Sequence, residues 1–303
     1  MKARIVCGDG IMAAEYRVNA DGTAEARPIE GVSAQEAADW PYLMSGLCDM
    51  HTHGNSGCDF SDGDYDEYVR MARFLYRNGV SSFAAALMTL PEEKLIRACR
   101  TAARFSRETP EGCARIAGVM LEGPFLSGAK KGAQSEEYLH EPDYDMFMRL
   151  VEASDGLVRV VCVAPELPGA MDFIARASKV CRVAVAHTDC DYQTASAAFA
   201  GGACHVTHLF NAMRPMLHRD PGPIPAAMER AGVTAELIAD GVHVHPAMVR
   251  AAYKLFGAGR LCLISDAMSA AGMCDGEYSI GGQRVYVKDG RATLSDGTIA
   301  GST

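Results

Sequence analysis

Residues 46–54 read GLCDMHTHG, an apolar run closed by two histidines one residue apart. Side chains alternate along a strand, so His51 and His53 are predicted to point to the same face. This run, LMSGLCDM (43–50), is the first of eight. VSSFAAALMT (80–89), RIAGVML (115–121), LVRVVCVAP (157–165), RVAVA (182–186), CHVTHLF (204–210), VTAELIAD (233–240) and RLCLISDA (260–267) follow. Between most of them stand stretches with helical spacing: Tyr65–Asn78, Glu92–Arg107, Tyr144–Ser154, Gly169–Val180, Tyr192–Ala200 and Pro246–Phe256. In the first, Tyr68, Ala72, Leu75 and Tyr76 share a face and Gly79 supplies the stop. Continuous apolar strands with helical crossovers predict a parallel sheet covered on both faces. Eight such units are the number that closes a (β/α)8 barrel of the TIM type. A doubly wound open sheet is the rival, although no GxGxxG follows the first run as its dinucleotide-binding form requires.

The flanks break this rhythm. Residues 1–40 carry short polar-flanked pieces with no strong helix and no clear opening strand pattern. Residues 277–300, EYSIGGQRVYVKDGRATLSDGTIA, alternate in polarity between Gly281-Gly282, Asp289-Gly290 and Asp296-Gly297, which is a hairpin signature. The expected organisation is a small β domain drawn from both flanks, residues 1–42 and 275–303, around a barrel at 43–274. The chain ends at Gly301-Ser302-Thr303 with no helix after the eighth run, so the C-terminus reads as truncated.

Composition narrows the class. In 303 residues, 29 Lys and Arg stand against 38 Asp and Glu, a net charge of −9. With no basic run, a nucleic-acid surface is not expected. No stretch of 18 apolar residues offers a membrane span. The opening MKARIVCGDGIMAAEYRV is charged too early and too often for a signal peptide. The 11 cysteines show no CxxC pairing and read as reduced small hydrophobes in a cytoplasmic enzyme.

The chemistry-bearing residues gather at the ends of the runs. His51 and His53 close the first, Glu122 the third, His187 the fifth, His208 the sixth and Asp266 the eighth, while His243 and His245 follow the seventh. In a (β/α)8 barrel the C-terminal strand ends converge on one face, where active sites are built. Neutral imidazole and carboxylate are ligands for zinc and similar divalent ions. Each residue alone has a structural reading; Asp266, for example, would also suit a helix N-cap. Their joint placement is what argues for a site. His140, His205 and His218 read as structural or surface residues. Lys130-Lys131 is either a solvated loop or a contact for an anionic substrate.

The motifs GLCDMHTHG, LEGPFLSGAKKGAQ, AHTD, THLFNAMRPMLHRDPG, ADGVHVHP, LISDAMSAAG and DGTIAGS run in order from Gly46 to Ser302. In this set the chain resembles the N-acetylglucosamine-6-phosphate deacetylases of the amidohydrolase superfamily. The resemblance implies hydrolysis of the sugar phosphate's acetamide to glucosamine 6-phosphate and acetate. It implies metal ligation by Glu122, His187 and His208, with Asp266 as catalytic acid and base and His243 at the reacting amide. Ala133, Gln134, Asn211, Ala212, Arg219, Asp240, His243, Ile299, Ala300, Gly301 and Ser302 match its sugar and phosphate contacts. The presence of His51 and His53 points to the branch with two ions bridged by Glu122. Zinc is the foremost candidate, with Fe2+ and Mn2+ as alternatives. A homodimer, with Arg219 reaching a neighbouring site, is the implied assembly. The galactosamine epimer, another amidohydrolase substrate and a truncated, non-catalytic sugar-phosphate binder remain alternatives.

Overall fold

The computed structural model describes residues 1–8, 10–19 and 23–303. They form two compact units, Met1–Leu47 and Cys48–Thr303. The first is a four-stranded sheet of β1 (Lys2–Cys7), β2 (Gly10–Val18), β3 (Ala24–Pro28) and β4 (Tyr42–Leu43), in the order β3-β2-β1-β4. Its strands escaped the sequence reading because the residues they bury are small. Ala3 lies opposite Ala14 across β1 and β2, and Ala3, Ala13, Ala14 and Ala37 make its buried set, too slight to register as apolar runs.

The second unit holds an eight-stranded sheet. Its members are β5 (Leu47–Thr52), which starts at the boundary, β8 (Val80–Leu87), β9 (Arg115–Leu121), β10 (Val158–Val163), β11 (Arg182–Val185), β12 (His205–Val206), β13 (Thr234–Ile238) and β14 (Leu261–Ile264). A two-residue hairpin, β6 (Gly54–Asn55) and β7 (Cys58–Asp59), follows β5. The eight strands are parallel and form a nearly closed TIM-type barrel. First and last strand are joined towards their C-terminal ends: Thr52 bridges Ala267, and the Asp266 N–H donates to the His51 carbonyl at 2.9 Å. Lower down, β14 leaves Leu263 65 % exposed.

The helices lie where periodicity puts them, as α1 (Tyr65–Arg77), α2 (Glu92–Glu108), α3 (Tyr144–Ala153), α4 (Ala170–Ala177), α5 (Tyr192–Gly201) and α7 (Pro246–Phe256). Asp64, Asp143 and Asp191 cap the N-termini of α1, α3 and α5 by accepting backbone N–H groups. The short α6 (Pro223–Met228) escaped the reading, since PIPAAM carries two prolines and barely one turn of pattern. On α1 the buried face is Tyr68, Met71, Ala72 and Leu75, whereas Tyr76 is exposed. Eight residues at 100° each carry Tyr76 some 80° past Tyr68, so Met71 takes its place.

The tail forms an antiparallel sheet of β15 (Gly276–Ile280), β16 (Gln283–Lys288) and β17 (Arg291–Thr293), as its Gly pairs predict. This sheet belongs to the same compact unit as the barrel. Ile280, Val285, Val287 and Ala292 pack on Met88, which follows β8, and on Met268, in the loop after β14. All 11 cysteines are free, and no helix of the described residues is long and apolar enough to cross a membrane.

The main core lies between barrel and helices. Phe83 on β8 is fully buried and stacks on Phe60, with centroids 5.0 Å apart, beside Phe105 of α2. Phe83→Ala should lower the unfolding free energy by about 3–5 kcal/mol in chemical denaturation. A loss below about 1 kcal/mol would show that this aromatic cluster does not anchor the barrel wall.

Candidate metal centre

Strand geometry delivers the sequence-predicted residues to one place. His51 is on β5 and His53 just beyond it, while Glu122, His187, His208 and Asp266 follow β9, β11, β12 and β14. His187, His208 and Asp266 have φ of 41°, 29° and 47°, left-handed values that cost of order 1–3 kcal/mol each outside glycine. Backbone bonds hold these turns: the Ser127 N–H reaches the His187 carbonyl, that of Asn211 the His208 carbonyl, and that of Ser302 the Asp266 carbonyl.

The six side chains form two buried groups, each with ligand atoms within 4.8 Å of one another: His51, His53 and Asp266, and Glu122, His187 and His208. Glu122 links them. Its Oε1 lies 2.9 Å from His208 Nε2 and 3.3 Å from His187 Nε2, while its Oε2 lies 3.1 Å from His53 Nε2. Asp266 Oδ1 is 3.2 Å from His53 Nε2 and 3.5 Å from His51 Nε2. It faces this cluster and caps no helix.

What lies behind the rings fixes their orientation. His53 Nδ1 faces the Ala86 carbonyl at 3.2 Å, His187 Nδ1 that of Lys130 at 2.9 Å, and His208 Nδ1 that of Asn211 at 3.2 Å. A carbonyl oxygen only accepts, so each Nδ1 carries a proton, and a ring in its neutral form turns its Nε2 lone pair inward. The Nε2 atoms of His187 and His208 then lie 3.1 Å apart, and those of His51 and His53 3.2 Å apart. Lone pairs at that distance, with carboxylates around them, repel unless a positive charge sits among them.

The titration behaviour has the same cause. Burial disfavours a charged His53, but Glu122 and Asp266 outweigh it and push its pKa up to about 10. His51 and His208 are raised against burial by the same carboxylates, with Glu236 the largest favourable influence on His51. Burial opposes the charge on Glu122 and Asp266 too, yet the surrounding histidines hold both below the usual carboxylate range. The site draws cationic charge to its centre. Nitrogen and oxygen donors in three-residue sets suit a divalent metal ion, and the residues present fit one in each group.

The groups open on a cavity of about 380 Å³, within the range of roughly 300–1,000 Å³ typical of small-molecule sites. Ala133, Gln134, Asn211, Ala212, His243, Ile299 and Gly301 line it, and so does Lys130, which pairs with Asp189 at 3.5 Å. Asp240 turns its carboxylate to His243, accepting from Nδ1 at 2.7 Å and from the backbone N–H at 2.9 Å. Burial works against the Asp240 charge, but these donors and the Val242 N–H bring its pKa down.

The Gln134 side chain is buried, donates to Glu122 Oε2 at 2.7 Å and accepts the Thr89 N–H at 2.8 Å, so its amide is spent on Glu122. Ala300 packs in the core under the tail sheet, and the Ser302 hydroxyl donates to the Ser265 carbonyl. Arg219 is exposed and lies outside the residues lining this cavity.

Two residues were missed. Glu236 on β13 is fully buried beside His51, and His205, read as structural or surface, is buried against Glu236 at 3.1 Å. A carboxylate in the middle of TAELI, where every neighbour predicts burial, was the available signal.

Residues 42–281 match the profile of the amidohydrolase family. The chain is 37 % identical over 280 residues to an N-acetylglucosamine-6-phosphate deacetylase of Bacillus subtilis (strain 168), covering 91 % of this chain and 71 % of the relative. It is 38 % identical over 292 residues to one of Vibrio furnissii, covering 94 % and 72 %. A mutant N-acetyl-D-glucosamine-6-phosphate deacetylase from Mycobacterium smegmatis, solved in complex with N-acetyl-D-glucosamine-6-phosphate, superposes with a TM-score of 0.88 at 35 % identity, covering 99 % of this chain and 79 % of that one.

Dialysis against a strong chelator should lower the melting temperature. Zn2+ at about 100 times its dissociation constant should then return about 2.7 kcal/mol per site. A melting curve indifferent to both treatments would mean that neither group holds an ion.

Proposed function

The chain belongs to the amidohydrolase family, and from that premise we propose that it hydrolyses the acetamide of N-acetyl-D-glucosamine 6-phosphate, giving D-glucosamine 6-phosphate and acetate. The observation that carries this reading is Glu122 reaching both buried groups from one carboxylate at the floor of a cavity of substrate size. The similarity to deacetylases over more than nine-tenths of the chain supports the substrate.

Glu122, His187 and His208 would hold one divalent ion and His51, His53 and Asp266 would face a second, with zinc the ion we propose for this donor set. When bound, such an ion lowers the pKa of water from 15.7 towards about 7 and polarises the amide carbonyl. Asp266, kept ionised by His51 and His53, accepts the proton of the attacking water and then delivers it to the departing nitrogen. The second transfer is needed because an unprotonated amine is a poor leaving group. His243, held through Nδ1 by Asp240, contacts the reacting amide from the cavity wall. Asn211, Ala212, Ala133 and the Ile299–Ser302 segment shape the sugar pocket, while Gln134 contributes by fixing Glu122.

Arg219, exposed on its own chain, would bind the phosphate of a neighbouring subunit in a homodimer, in a charge-assisted fork. We place the reaction in the cytoplasm.

Acetate release from N-acetylglucosamine 6-phosphate, from its unphosphorylated form and from the galactosamine epimer tests the substrate. The first should give the highest kcat/KM, and a preference for the epimer would replace it. Asp266→Asn keeps the shape but cannot take up a proton, so kcat should fall at least ~10²-fold with the fold intact. A near-normal kcat would overturn the shuttle. Arg219→Ala should raise KM for the phosphorylated sugar far more than for the unphosphorylated one, and equal effects would remove Arg219 from the phosphate site.

A further inference from the structure

The mechanism leaves Glu236, the most deeply buried carboxylate among the described residues, unused. Glu236 sits in the middle of β13 with no solvent exposure, a position where an ionised group costs several kcal/mol unless fully bonded. Its bonding is complete. Oε2 lies 2.9 Å from His51 Nδ1 and accepts the backbone N–H of His208 at 3.1 Å. Oε1 lies 3.1 Å from His205 Nε2, and the far nitrogen of that ring lies 2.6 Å from the Thr234 hydroxyl. Thr234, His205 and Glu236 thus form a chain ending on His51.

His51 differs in this from its three neighbours. His53, His187 and His208 each face a neutral backbone carbonyl through Nδ1, whereas His51 faces a carboxylate. A charged acceptor holds the ring more firmly than a neutral one and makes the opposite nitrogen a stronger electron donor. That nitrogen, Nε2, points at His53 and Asp266.

Resting on the reading of this site as a metal centre, we propose that Glu236, braced by His205 and Thr234, is a positioning residue. It fixes His51 with Nε2 turned inward and thereby sets the affinity of the His51–His53–Asp266 group for a divalent cation, while leaving the Glu122–His187–His208 group unchanged. Glu236 touches the second group through the backbone N–H of His208 alone. A glutamine keeps an acceptor for that N–H and for His51 but removes the charge. An alanine removes both.

The test is a titration of the chelator-stripped protein with Zn2+ alone, by calorimetry and chelator competition, on wild type, Glu236→Gln, Glu236→Ala, His51→Ala and the double variant His51→Ala/Glu236→Gln. Wild type should bind two ions. Glu236→Gln should weaken one of them about 10-fold and Glu236→Ala by up to about 100-fold, the span usual for partners standing behind a ligand. The other ion should keep its wild-type affinity in Glu236→Gln. His51→Ala should lose the same ion, and adding Glu236→Gln to it should change nothing further. Two wild-type affinities in Glu236→Gln, an equal weakening of both ions, or a further loss in the His51→Ala background would each overturn the proposal. Should the Glu236 variants fail to fold, His205→Gln carries the test. It should weaken the same ion by less, and an effect on both ions or on neither would overturn the proposal. A wild-type protein that binds no divalent ion would sink the metal-centre reading together with this one, whereas two ions unaffected by Glu236→Gln would sink this one alone.

Discussion

The structure turns on an electrostatic debt at the centre of the barrel mouth. Four imidazole nitrogens and two carboxylates converge there, with Nε2 pairs 3.1 and 3.2 Å apart. Gathering lone pairs and anionic oxygens out of water is unfavourable by several kcal/mol per charge. The fold accepts this because it supplies the acceptors that turn each ring and the left-handed turns that aim His187, His208 and Asp266 inward. The pKa directions follow from the same crowding: His51, His53 and His208 are pushed towards the charged form, and Glu122 and Asp266 away from the neutral one. A cation at the centre would relieve these repulsions together.

Barrel closure is part of this arrangement. First and last strand are joined where Thr52 bridges Ala267 and the Asp266 N–H reaches the His51 carbonyl, so the hydrogen bonds that close the sheet also set the spacing of His51, His53 and Asp266. The tail reinforces the same point. Ser302 donates its N–H to the Asp266 carbonyl and accepts from the Met268 N–H, which carries the Ile299–Ser302 segment along the cavity rim. A change that loosens this seam would therefore be felt first in ligand geometry and only afterwards in the apolar core between barrel and helices.

Much of this was legible in the sequence for a simple reason: eight runs of large apolar residues and six of their ends carrying His, Glu or Asp are periodic signals. The strands at 115–121 and the helix at 246–256 fall where the pattern sets them. What the pattern missed is small or internal. The sheet of the first unit hides behind alanines, and α6 is too short to show a period. Tyr76 was counted on a face that rotates away from it. Gln134 matched a sugar-contact position, but only three-dimensional packing shows its amide held between Thr89 and Glu122.

Glu236 shows why residues of this kind resist sequence reading. Strand-end residues announce themselves because polarity breaks at the end of an apolar run, and a barrel is known to gather those ends. A carboxylate inside the run gives only a break in alternation, with several readings open to it. Its partners come from separate strands and their ends: His51 from β5, and His205 and His208 from β12 and just beyond it, with Thr234 of β13 itself behind His205. The first is 185 positions distant in the chain. Only closure of the sheet brings β5 to the inward face of β13, so the same geometry that assembles the ligands also supplies the group behind one of them. The depth of Glu236 then has a physical account. At the rim water would screen its charge, whereas one layer below it the interaction with His51 acts through a low dielectric.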